Sequence, residues 1–193
     1  MSYLYYLLLA LFVVRGIYYL VRKAKWKSAK DAKSNASLKA DDAMEGLRNM
    51  ALTTTPEQLG LTLSSGSTTV FGVIMDIGMD KGAATITSYQ TGDASLYLST
   101  GGGILGGGKN ESVSNVAKQF VSLAQKFIDK VTKSDSMELP LSGSVKFYLL
   151  TNMGVYVGED FIKNFENHSS VWTEMFNEGN NVLTALRMSG SVR

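Results

Sequence analysis

The chain has no cysteine and a single histidine, His168, among its 193 residues. The first absence excludes disulfides, thiolate chemistry and cysteine-ligated zinc. The second leaves only carboxylates for a metal, as magnesium or calcium would accept, yet no DxDxDG loop occurs. Serines are plentiful, Ser99 among them, but there is no GxSxG elbow and only one histidine to serve as a partner. His168 continues the apolar spacing of Phe165, Trp172 and Met175 and reads as a core residue rather than a catalyst. Asp76, Asp80 and Asp93 fall at strand ends and turns, where acids usually cap the backbone. No catalytic set, metal site or cofactor is expected. A basic surface is also missing from most of the chain: residues 40–193 carry eleven bases against sixteen acids. Such a domain is poor material for nucleic-acid binding.

What is present begins at the amino terminus. Tyr3 to Val21 reads YLYYLLLALFVVRGIYYLV, nineteen residues with one charge, Arg15. As a helix it would extend ~28 Å, about the thickness of a bilayer's hydrocarbon core. Residues 22–39 follow with seven bases and one acid, net +6. That asymmetry predicts a single-pass inner-membrane protein with the amino terminus outside and the carboxyl-terminal domain cytoplasmic. Tyr3, Tyr18, Tyr19 and Trp26 suit the aromatic belts, and Arg22, Lys23, Lys25 and Lys27 suit anionic lipid headgroups. Arg15 is placed either to snorkel or to make a helix–helix contact. A cleaved signal peptide would want a basic start, a shorter apolar core and a small-residue cleavage site. The expected division is an anchor over 1–22, a basic neck over 23–40 and a domain over 41–193.

In that domain, Asp42 and Glu45 resemble a capping box, and Met44, Leu47 and Ala51 repeat on one helical face. Apolar or β-rich runs at 69–77, 83–89 and 94–99, separated by GMDKG and QTGD, predict an antiparallel meander. Helical spacing holds from Ser112 to Thr132, from Val113 to Val131. A hairpin over 145–158 and a broken terminal helix over 159–188 complete the order α-βββ-α-ββ-α. The expectation is an α+β fold, a five-stranded antiparallel sheet flanked by helices. This order looks like the profilin, roadblock and longin class of small modules, a likeness of fold that assigns no function.

Gly101–Gly108, GGGILGGG, has six glycines in eight positions. It satisfies GxGxxG and, with Lys109, nearly satisfies the Walker A pattern, between a predicted strand and a predicted helix. Asn110 occupies the Walker hydroxyl position, and a meander replaces the parallel βαβ unit that both motifs require. The readings open at Gly101, Gly102, Gly103, Gly106, Gly107, Gly108 and Lys109 are an anionic ligand held by backbone amides, or close packing between strand and helix.

The segments GVIMDIG, ASLYLSTGGGILGGG and VKFYLLTNMGVYVGED together resemble an uncharacterised bacterial domain family. Ser95–Gly108 and Val145–Val155 are the most specific parts, within about 59–160. The resemblance implies a shared architecture and no activity. The function expected overall is a membrane-tethered interaction module that docks a protein partner and membrane lipid, with a homo-oligomer as a further option, through the glycine loop and the terminal helices. The alternatives are a sensor for an anionic ligand at the glycine loop and an oligomeric membrane-perturbing effector.

Overall fold

The computed structural model describes residues 43–190. After helix α1 (residues 43–52) come β1 (Val70–Met79), β2 (Gly82–Tyr89), β3 (Ala94–Leu98) and β4 (Gly103–Ile104). Helix α2 (Glu111–Gln125) precedes β5 (Thr132–Lys133), β6 (Ser144–Thr151) and β7 (Gly154–Phe161). Helices α3 (Ile162–Glu166) and α4 (Thr173–Gly190) end the chain's described part. The seven strands form one sheet in the order β4-β3-β2-β1-β6-β7-β5, with every neighbouring pair antiparallel.

Two connected hairpins meet at a central seam, where β1 pairs with β6 in the register Ile74↔Tyr148 and Asp76↔Lys146. Both strands are buried on both faces, so they read in sequence as continuous apolar runs rather than as alternating ones. On one face, Val73, Met75, Ile86, Phe147 and Leu149 pack beneath α2 and α4. Trp172 lies between Phe127 and Phe147, with ring centroids 5.6 and 6.0 Å away. On the other face, Phe71, Ile74, Tyr89, Tyr148 and Leu150 pack with Met44, Ala51 and Leu52 of α1.

The five-stranded sheet is corrected to seven. The added strands, β4 and β5, are two residues each and sit at the two edges, too short to leave a period-two pattern. Short strands there also blunt the open edges against pairing with other chains. The middle helix stops at Gln125 instead of Thr132. A 3-10 turn at Ile128–Lys130 follows, and Phe127 and Val131 reach the core from non-helical backbone.

The single-pass membrane expectation is corrected as well. Among the described residues no helix is long and apolar enough to cross a membrane. The longest, α4, spans 18 residues, but its apolar residues form one stripe and its remaining positions include Glu174, Asn177, Glu178, Asn180, Asn181 and Arg187. The anchor proper, with Tyr3, Arg15, Tyr18, Tyr19 and Trp26, and the headgroup residues Arg22, Lys23, Lys25 and Lys27 lie outside the described residues.

Candidate functional site

Helical spacing places Arg48 on the same face of α1 as Met44 and Ala51, which turns it into the sheet. Strand alternation places Asp76 two residues beyond Ile74, on the face that receives α1. The two charges therefore meet in the interior: Asp76 is 0 % exposed and Arg48 4 %. Arg48 Nε donates to Asp76 Oδ2 at 2.8 Å, and Nη2 lies 2.7 Å from the same oxygen as an ion pair without hydrogen-bond alignment. Thr85 Oγ1 donates to Asp76 Oδ1 at 2.5 Å, and Arg48 Nη1 donates to the Met137 carbonyl at 2.7 Å. The guanidinium carbon sits 5.3 Å from the centroid of the Tyr148 ring.

This pair is the middle of a polar row. The register aligns Tyr97, Thr85, Asp76, Lys146 and Glu159 across five adjacent strands. Lys146 Nζ is 3.5 Å from Glu159 Oε2 and donates to the Glu138 carbonyl at 3.2 Å. The Tyr148 hydroxyl also donates to that carbonyl. Burial pushes the Asp76 carboxyl up, against the opposing pull of Arg48 and of the Thr85 hydroxyl. Burial likewise pushes the Tyr148 phenol up to about 12, with Arg48 opposing.

Beside the row opens a cleft of about 830 Å³. Its walls are Met44, Glu45, Arg48 and Asn49 of α1, Gly82 and Ser99 at the strand ends, and residues 136–139. The size suits a ligand or a peptide side-chain cluster. Ser99 Oγ accepts from the Ala83 amide at 2.8 Å, and a Cβ on Gly82 would lie 1.8 Å from that oxygen. No nucleophile–base pair is assembled along these walls, and no group of three or more metal-ligating side chains occurs among the described residues.

The 136–139 wall of the cleft continues along the chain to an exposed apolar end of the sheet. Gly143 N donates to the Gly78 carbonyl, a Cβ on Gly78 would meet the Leu141 carbonyl at 2.0 Å, and Ser144 faces Phe161. These approaches bring the segment after Leu139 onto the α1 face of the sheet, which Phe161 shares, with Leu141 76 % and Phe161 52 % exposed. Leu139 itself belongs to the cleft wall.

The glycine loop lies elsewhere, and backbone conformation or close packing accounts for each of its six glycines. Gly101, Gly102 and Gly106 have positive φ of 98°, 89° and 65°. Side chains at the other three would collide: Gly103 with the Leu96 carbonyl at 2.2 Å, Gly107 with Leu186 at 2.6 Å, and Gly108 with Asp93 at 2.3 Å. At the start of α2 the Asn110 side chain accepts from the Val113 amide and Glu111 fills the first turn, which opposes an anion. Lys109 ends the short turn before that helix. Gly101–Gly103 do border a second, apolar cleft of about 280 Å³ with Met44, Leu47 and Leu105.

His168 is not a core residue. It is exposed, with φ 57°, and ends α3 in the left-handed conformation. Asp76 is not a turn cap but the buried partner of Arg48. The signal for that pair was an acid inside an apolar strand and a base on the apolar face of a helix. Comparison of the chain with protein-family models, with curated proteins and with solved structures gives no match.

Proposed function

We propose that the chain is a protein-interaction module whose recognition surface is the cleft beside α1 together with the apolar end of the sheet. The observation that carries this reading is the exposure of Leu139 on the wall of the larger cleft, with exposed Leu141 two residues further on and exposed Phe161 on the same face of the sheet. Exposed apolar groups that cluster, rather than scatter, mark contact sites. Met50, Met153 and Met188 are exposed as well but belong to α1, the β6–β7 turn and α4 separately. The buried Arg48–Asp76 pair supports the surface rather than reacting, because it holds α1 and the 136–139 segment to the sheet.

The test is photo-crosslinking in cells from a benzoylphenylalanine placed at Leu141, with the same probe at exposed Asn181 on α4 as control. The expected result is a discrete adduct from position 141 that Leu139→Asp abolishes. Equal labelling from both positions overturns the reading.

A further inference from the structure

We propose that the cleft between α1 and residues 136–139 takes a segment of a protein partner that carries basic and apolar side chains together. This rests on the interaction reading above and adds the chemistry of the partner. The charged residues on the cleft walls are Glu45, Glu138 and Arg48. Arg48 is neutralised from within by Asp76, so it offers no net charge to a visitor. Glu45 and Glu138 are exposed and, among the described residues, make no ion pair, which leaves the walls described with two uncompensated negative charges. The nearest base in the row, Lys146, is engaged by Glu159 and by the Glu138 carbonyl.

The same walls carry half-buried Met137 and exposed Leu139, beside Met44 of the core. Methionine is flexible and polarizable, so a wall built from it adapts to apolar side chains of differing shape. Complementary charge at the rim sets orientation and accelerates encounter, while the apolar floor supplies the burial. An acidic segment would meet the two carboxylates and be repelled, and a purely polar basic one would leave Met137 and Leu139 uncovered.

The experiment measures fluorescence anisotropy of the full chain with three labelled peptides of about a dozen residues. One places Lys and Leu on opposite faces, the second replaces Lys by Glu, and the third replaces Leu by Ser. The Lys/Leu peptide is expected to bind roughly ten-fold more tightly than either of the others. Glu45→Gln with Glu138→Gln, both at exposed positions, should weaken it roughly five-fold and flatten its salt dependence. Leu139→Ser should weaken it without changing that salt dependence. Equal binding of the Glu/Leu peptide overturns the inference, as does indifference to the double substitution. A specific adduct from Leu141 in cells, with no preference for the Lys/Leu peptide, removes the partner chemistry and leaves the interaction reading standing. Absence of both removes the reading itself.

Discussion

Tyr148 shows how much one side chain can be asked to carry in this fold. Its ring supports the Arg48 guanidinium, its hydroxyl donates to the Glu138 carbonyl, and the whole residue is 0 % exposed. Burial favours the neutral phenol and raises its pKa to about 12. An exposed tyrosine in the unfolded chain loses its proton near pH ~10. Between those values the unfolded state binds fewer protons than the folded one, so the contribution is complete below pH ~10 and disappears as pH rises through about 12. Ultraviolet titration of the phenols should therefore find a late component that Tyr148→Phe removes. The variant should also lose less stability than the parent over the same alkaline window. An unaltered alkaline decline in the variant would assign it to other groups. Gly78, Gly103 and Gly108 illustrate the opposite economy, since each is a place where the absent side chain lets backbone or a carboxylate approach.

At the scale of elements, the interface of α1 with the sheet turns on its one internal ion pair. Arg48→Met leaves the Asp76 carboxylate buried without a cation, a loss of ~3–5 kcal/mol. Urea unfolding should show that cost shrinking as pH falls, because protonating Asp76 removes the uncompensated charge. Arg48→Met combined with Asp76→Leu should be less destabilised than Arg48→Met alone, with a remaining cost from the Thr85 hydroxyl and Met137 carbonyl that lose their partners. A double variant no better than the single one would show that α1 is held by packing of Met44, Ala51 and Leu52 instead. The elements themselves were largely legible in the sequence. The runs at 69–77, 83–89 and 94–99 agree with β1, β2 and β3 to within about two residues, and the 145–158 hairpin with β6 and β7 to about three. Their β-forming composition and the turn residues between them are local signals. Pairing is not local, so neither the β1·β6 seam nor the polar row from Tyr97 to Glu159 could be read from spacing. The candidate cleft was illegible for the same reason: α1, the strand ends and residues 136–139 are distant in sequence. The glycine loop is conspicuous in composition, while its six glycines answer to φ and to neighbours that only the fold supplies.

At the scale of the whole molecule, two hairpins that close locally are joined by one seam that does not. β1–β2 and β6–β7 have tight connections at Asp80–Lys81 and Asn152–Met153, so each can form on the microsecond scale. The seam pairs Val70–Ile77 with Val145–Thr151, roughly seventy residues away, with β2, β3, β4, α2 and β5 in between. Closing that separation costs chain entropy before the contacts compensate for it, which predicts refolding in about milliseconds to seconds. It also predicts where substitutions act. Leu149 lies in the seam and in the core beneath α2 and α4, whereas Ile104 lies in the two-residue edge strand β4. Leu149→Ala should slow folding, because its contacts form as the seam forms. Ile104→Ala should leave folding unchanged and speed unfolding, because an edge strand adds after the transition state. Stopped-flow chevrons of the two variants separate these outcomes. If Leu149→Ala alters only the unfolding limb, then the seam closes after the barrier, and the rate-limiting step lies within one of the hairpins or in the docking of α2.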